Sequence, residues 1–169
     1  MRTVELVCDD ALDGAVRAVW GRLDAAGLPS LATHPHATNR PHLTLAAADD
    51  LPAGAVADLR AALAGLPVRV RLDGLIFFEG RLGMAVWRVV ADDALLDVQA
   101  EVWRAIEGAD RNPLHAPGAW VPHVSLARRV RLEQRAAVAA VVGDTAVEGR
   151  LVAARSYDSG TRTVMSLTD

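Results

Sequence analysis

Two pentapeptides carry the side chains best placed to do chemistry: Pro41-His42-Leu43-Thr44-Leu45 and Pro122-His123-Val124-Ser125-Leu126. Each reads Pro-His-apolar-hydroxyl-Leu. In an extended strand, alternate side chains share a face. His42 and Thr44 therefore point one way, and Leu43 and Leu45 the other. His123 and Ser125 separate from Val124 and Leu126 in the same manner. Each stretch buries an apolar face and presents an imidazole beside a hydroxyl. With an ordinary pKa of ~6.5, an imidazole serves as acid or base near neutral pH. Two of them flanking one phosphorus can drive an in-line displacement. One takes a proton from the attacking oxygen and the other protonates the leaving oxygen, each typically worth ~10²–10⁴ in rate. The hydroxyls of Thr44 and Ser125 can bind the non-bridging phosphate oxygens and stabilise the charge developing there. This design requires no metal and no cofactor.

The elements around these strands follow from hydrophobic period and punctuation. Thr3 to Cys8 alternates as a short strand. Asp9 or Asp10 caps a helix with Leu12, Val16, Val19, Trp20 and Leu23 on one face, ended by Gly27 and Pro29. A polar loop, Ser30 to Arg40, carries His34 and His36. The first Pro-His strand runs to about Ala47. Asp49-Asp50 is expected to cap a second helix with Val56, Leu59 and Leu63 buried. Val68 to Leu72 is a strand that continues through Leu75 to Phe78, and Glu79-Gly80-Arg81 is a turn. Leu82 to Val90 is another strand. A third helix, capped by Asp92 or Asp93, uses Leu95, Leu96, Val102, Trp103 and Ile106 as apolar positions and ends at Gly108. A Pro-rich loop from Arg111 to Ala119 carries His115. After the second Pro-His strand come a helix from about Leu132 to Val142, a strand from Val147 to Tyr157, a turn at Asp158-Ser159-Gly160 and a last strand from Arg162 to Leu167.

This order contains a repeat. Residues 42 and 123 are 81 positions apart, and the same offset carries the first strand onto Met84 to Val89 and Gly27 onto Gly108. The chain reads as strand, helix, loop, Pro-His strand, helix, strand, twice over. The units span about 3–78 and 84–159, with a terminal strand at 162–167. Residue identity is lost outside the Pro-His strands, so the repeat is one of element order. Two such units packed about a pseudo-twofold axis would bring the Pro-His strands together across a cleft.

Composition bounds the rest. The chain has 169 residues, 51% hydrophobic and 23% charged, which suits one compact unit. No apolar run approaches the ~20 residues of a membrane span. Acids at Glu5, Asp9 and Asp10 leave the N-terminus without a signal-peptide core, so a cytoplasmic location is expected. Cys8 is expected to be buried filler. All 18 basic residues are Arg, which removes lysine chemistry. A net charge of -3 argues against an extended nucleic-acid surface, while leaving room for a small anionic substrate. A monomer is expected.

Other candidates are weaker. Arg128 follows the second motif and would reach the His123 face if the strand persists, as a phosphate contact. His36, His115 and Tyr157 are candidates for the cleft mouth. Tyr157, Trp120 and Phe78 are able to stack on a base. His34-x-His36 near His42 suggests a metal cluster, but no acidic or thiol ligand accompanies it, and solvent-facing loop histidines are the expectation. Arg69 and Arg71 read as a solvated sheet face.

The paired motifs His42-Leu43-Thr44-Leu45 and His123-Val124-Ser125-Leu126 resemble the signature of the 2H phosphoesterase superfamily. Pro122 to Arg128 also resembles the Pro-His-x-Thr/Ser-Leu-Ala-Arg stretch of its bacterial branch, named for 2′-5′ RNA ligase or RNA 2′,3′-cyclic phosphodiesterase. The resemblance implies a bilobal α+β fold with two antiparallel sheets around a central cleft and helices outside. It also implies metal-independent opening of a 2′,3′-cyclic phosphate on a nucleotide or RNA end, with His42 protonating the leaving O3′, His123 activating water and a 2′-phosphate as product. Alternatives are a 2′-5′ RNA ligase, a hydrolase of another small cyclic or 2′-5′-linked nucleotide, a metal-dependent hydrolase, and a non-catalytic nucleotide-binding module. The last predicts one eroded motif, and both motifs are intact.

Overall fold

The computed structural model describes every residue except 35, 37, 81, 82 and 169. The chain runs β1 (Arg2–Cys8), α1 (Asp10–Ala25), β2 (His42–Ala48), α2 (Ala55–Ala62), β3 (Val68–Phe78), β4 (Gly83–Val90), α3 (Asp93–Ala105), β5 (His123–Val130), α4 (Arg135–Val142), β6 (Val147–Asp158) and β7 (Thr163–Ser166). Short 3₁₀ turns lie at Pro113–His115 and Leu132–Gln134. Of the expected features, Leu82 of the fourth strand and Arg81 of the 79–81 turn fall outside the described residues, as do two positions of the loop 30–40.

The helix starts follow local chemistry. Asp9 accepts from the Leu12 amide at 2.8 Å and Asp92 from the Leu95 amide at 2.9 Å, so each caps its helix. The expected cap at Asp49-Asp50 is not formed. α2 begins later, after Gly54 in a left-handed conformation at φ +86°. The two aspartates are otherwise engaged: Asp50 accepts from Arg2 Nε at 2.7 Å, and Asp49 from the amides of Asp50 and Asp110. Leu96, expected on the apolar face of α3, is 46% exposed, because the face that packs on the sheet uses Leu95, Gln99 and Val102. The expected helix from Leu132 opens as a 3₁₀ turn and becomes α-helical at Arg135.

The strands join into one antiparallel set in the order β1-β2-β5-β4-β3-β6-β7, and β1 also pairs with β6, so six of them close a ring. The two expected sheets are thus continuous with each other. Long strands make this possible on one side: β3 pairs with β6 over Val68–Leu72 and with β4 over Arg71–Phe78. Gly74, at φ +89°, lies within the register shift that bends β3 between these partners. On the other side the junction is thin. β2 and β5 meet at a single residue pair, Leu43 with Val124.

The offset of the sequence repeat reappears in the hydrogen-bond register. β1 pairs with β2 through Val7–His42, Leu6–Leu43, Glu5–Thr44 and, beyond a bulge, Val4–Ala46. β4 pairs with β5 through Arg88–His123, Trp87–Val124, Val86–Ser125 and, beyond a bulge, Ala85–Ala127. Every member of the second set lies 81 positions after its counterpart in the first.

The core lies between the helices and one face of these strands, with Leu6, Leu12, Leu23, Leu43, Leu45, Leu59, Leu95, Leu126 and Leu151 fully buried. Fully burying a leucine contributes roughly 1.5–3 kcal/mol. Leu43, Leu45, Val124 and Leu126 anchor the two Pro-His strands to this core, so the opposite faces of β2 and β5 must look into the concave side. Among the described residues, no helix is long and apolar enough to cross a membrane. Cys8 is buried, and burial pushes its thiol up to about 12, as expected of filler.

Candidate functional site

The alternation expected of the two motifs is present. Leu43, Leu45, Val124 and Leu126 are buried, whereas His42, Thr44, His123 and Ser125 are partly exposed. Because antiparallel β2 and β5 pair at Leu43–Val124, all four polar side chains stand on the same face beside that pair. The two histidines are close enough for the charge of His42 to bear on His123.

Each imidazole is held alike. His42 Nδ1 donates to the Arg40 carbonyl at 2.7 Å, and His123 Nδ1 donates to the Val121 carbonyl at 2.7 Å. A carbonyl only accepts, so the Nδ1 position carries the proton and Nε2 is the nitrogen left for chemistry. The prolines contribute here: Pro41 and Pro122 have no amide proton and fix the local backbone that returns each ring to the carbonyl two residues earlier.

The thin junction leaves backbone carbonyls to be satisfied from elsewhere. Trp120 Nε1 donates to the Thr44 carbonyl at 2.9 Å, and Trp20 Nε1 to the Ser125 carbonyl at 3.0 Å. Gln99 donates to the Leu45 carbonyl at 3.3 Å and to the His115 carbonyl at 2.7 Å. The Leu31 amide donates to the Leu126 carbonyl at 3.2 Å. Both motif hydroxyl residues are thus pinned by an indole. Trp120, read from sequence as a possible stacking residue, has this supporting role.

A cleft of about 340 Å³ opens on this face, lined by His42, Thr44, Ser125 and Arg128, and by His34, His36, Arg155 and Tyr157. His123 is not among its lining residues and joins the site through its strand. Arg128 reaches the cleft for a reason other than simple alternation. Ser125 pairs with Val86 and Ala127 with Ala85, so the extra residue in β5 turns Arg128 back to the cleft side. His36 and Tyr157 lie at the cleft with their rings edge to face, 5.9 Å apart. His115 does not line it, but sits in the Pro113–His115 turn near enough for the charge of His123 to affect it. His34 and His36 both line the cleft, yet no group of three or more His, Cys, Asp or Glu side chains among the described residues is arranged to hold a metal ion. Arg69 and Arg71 are exposed, as expected.

The two half-sites differ in electrostatics. His123 and Phe78 meet edge to face, with ring centroids 4.8 Å apart, and Val86 is buried next to Ser125 in register. Burial pushes the His123 imidazole below the usual range, with the Val121 carbonyl opposing it and His42 adding to the effect. Its register neighbour Arg88 donates to the Asp73 carbonyl at 3.0 Å. His42 instead has a carboxylate beside it: Glu5 Oε1 is 3.6 Å from His42 Nε2. Glu5 also accepts from Arg155 Nε at 2.8 Å and from Thr3 Oγ1 at 2.7 Å.

Neither Glu5 nor Arg155 was singled out by sequence reasoning. Glu5 falls on the polar side of an alternating strand, which reads as solvent-facing. The signal available was a charge within Val4-Glu5-Leu6-Val7-Cys8, where four of five residues are apolar or thiol.

Comparison with known proteins follows the same lines. The sequence profile of the 2′-5′ RNA ligase superfamily matches residues 9–155. No curated protein matches the chain. Among solved structures, Usb1 of Kluyveromyces marxianus is similar over 98% of this chain and 96% of its own, at 15% identity and a TM-score of 0.56. The same protein with uridine monophosphate gives 14% identity and a TM-score of 0.55 over the same shares. A crystal structure described as a phosphoesterase gives 14% and 0.55, over 98% of this chain and 92% of its own. At these identities the likeness shows a shared fold.

Proposed function

Because the chain belongs to the 2′-5′ RNA ligase superfamily, of phosphodiesterase and RNA-ligase activity, we propose that it opens 2′,3′-cyclic phosphates on nucleotides or RNA ends, without a metal. The observation that carries this reading is the convergence of His42, Thr44, His123 and Ser125 beside the one β2–β5 pair, with both Nδ1 atoms tied to backbone.

In the proposed reaction, water attacks phosphorus opposite O3′. His123 Nε2 takes the water proton as the new P–O bond forms. The P–O3′ bond breaks, and His42 Nε2–H gives its proton to O3′, leaving a 2′-phosphate. The assignment of roles agrees with the environments. His123 is held neutral by burial, as a base must be, while His42 has a carboxylate to accompany its charged form. Thr44 and Ser125 hold the non-bridging oxygens, and Arg128 reaches the same phosphate from the bulged end of β5. His36 and Tyr157 flank the nucleoside. Replacing water by a ribose hydroxyl at the same site gives the ligase reaction.

The test is a panel of 2′,3′-cyclic mononucleotides, 2′-5′ dinucleotides and RNA ends, with the product phosphate located by ³¹P NMR. Turnover of the cyclic substrates is expected to survive EDTA. His42→Ala and His123→Ala are each expected to lose at least about 10²-fold in kcat with an unchanged circular dichroism spectrum. Near-full activity in either variant would rule out the two-histidine reaction.

A further inference from the structure

The concave face holds a buried ion pair that the motifs do not account for. Glu5 is 3% exposed and Arg155 9%. Their carboxylate and guanidinium meet at 2.8 Å, and Arg155 also donates to the Thr38 carbonyl at 3.1 Å. A buried pair of this kind is weak as a stability device, since apolar side chains of similar volume often serve as well or better. The fold itself contains the apolar solution. Glu5 pairs in register with Thr44 and Arg155, whereas Val86 of β4 pairs with Ser125 and Ile76. Stability therefore does not require the charges at the first position.

What the charges do have is a place. Glu5 Oε1 lies 3.6 Å from His42 Nε2. That is an ion-pair distance but beyond hydrogen-bond reach, so the carboxylate favours a proton on Nε2 without capturing it. The other charged or titratable side chains lining the cleft with His42 are Arg155 and Tyr157 from β6, Arg128 from β5, and His34, His36 and Arg40 from the preceding loop, with His123 near enough for the charges of the two histidines to interact. Arg40 is drawn towards Asp13, at 3.8 Å. Glu5 is the one carboxylate among the described residues lining the cleft.

We infer that Glu5, held in place by Arg155, is the positioning residue that favours the proton-bearing form of His42. It acts alongside the burial that disfavours a proton on His123. Arg155 keeps the second carboxylate oxygen occupied and limits how strongly Glu5 draws the proton. The two residues thus act on His42 in opposite senses. The consequence for turnover rests on the two-histidine reaction proposed above; the titration of His42 does not.

The experiment is an NMR titration of the imidazole Cε1–H resonances in the substrate-free protein, with His42→Ala providing the assignment. Glu5→Gln is expected to lower the His42 midpoint, the direction for loss of an opposite charge within ~4–6 Å. Arg155→Gln is expected to raise it. If Glu5→Gln does not fold because Arg155 is left unpaired, the double variant Glu5→Gln/Arg155→Gln removes both charges. Its midpoint is expected below that of Arg155→Gln, which reads the same effect of Glu5. A His42 midpoint unmoved by loss of Glu5, or moved the same way by loss of either partner, would overturn the inference. In activity, the basic limb of the pH–kcat profile is expected to follow the His42 midpoint while the acidic limb stays. Absence of turnover in the parent protein would sink the proposed reaction and leave the titration to decide the role of Glu5.

Discussion

Trp20→Phe and Trp120→Phe test whether the thin β2–β5 junction is held from outside. Each change deletes one indole N–H and keeps an aromatic ring. Trp120 donates to the Thr44 carbonyl at 2.9 Å and Trp20 to the Ser125 carbonyl at 3.0 Å. Leaving a buried carbonyl without its donor costs about 1–3 kcal/mol, and shrinking a bicyclic ring to a benzene ring adds roughly 1 kcal/mol for incomplete repacking. A loss of ~2–4 kcal/mol per variant in a domain of this size corresponds to a Tm lower by roughly 4–16 °C. Thermal and urea unfolding followed by circular dichroism would measure it. Under the proposed reaction activity is expected to fall too, since Thr44 and Ser125 sit on the carbonyls being released, and misplacement of a reacting or positioning group by ~1 Å can cost about 10²-fold. Unfolding free energies within about 0.5 kcal/mol of the parent would refute the reasoning, because water would then be replacing the indoles without loss.

Four further outcomes follow from particular contacts. Burial lowers the His123 and His115 imidazoles, so the unfolded chain binds more protons as pH falls through about 6.5. Stability is therefore expected to drop as pH is lowered through that range, and to be regained above it, in urea titrations at stepped pH. The acidic limb of the pH–rate profile is likewise expected below ~6.5, since the proposed reaction uses a neutral His123 as base. Gly149→Ala would place a Cβ 2.7 Å from Leu12 Cβ, forcing α1 away from β6; a loss of about 1–3 kcal/mol or more is expected by chemical denaturation. Arg128→Ala, at an exposed cleft position, is expected to leave Tm nearly unchanged while lowering kcat/KM about 10-fold or more, the loss of the proposed charge-assisted phosphate contact.

Much of the fold and of the site was legible because it depends on local rules. Alternation in Pro41–Leu45 and Pro122–Leu126 decided which side chains share a face, and two apolar residues in each anchored that face to the core. The offset of 81 residues gave equivalent places to the two strands, and the β1–β2 and β4–β5 registers carry the same offset. Helix ends were legible where one residue does the capping, as at Asp9 and Asp92. They were not legible at Asp49-Asp50, where partners distant in sequence, Arg2 and the Asp110 amide, take the carboxylates.

Tertiary structure alone decided how unlike the two halves are. A glutamate on the polar side of an alternating strand could face solvent or a cleft, and sequence period does not tell them apart. Closure of the strands into a ring puts Glu5 inside, against Arg155, which is 150 residues away in the chain. The bulge at Leu126–Ala127 depends on pairing with β4, so the turn of Arg128 into the cleft could not be read from β5 by itself. Sequence determined that each histidine shares a strand face with its hydroxyl, because that follows from the geometry of one strand. Which histidine has a carboxylate beside it and which an apolar wall depends on neighbours brought in from β1, β3 and β6. Those contacts exist only once the chain has closed.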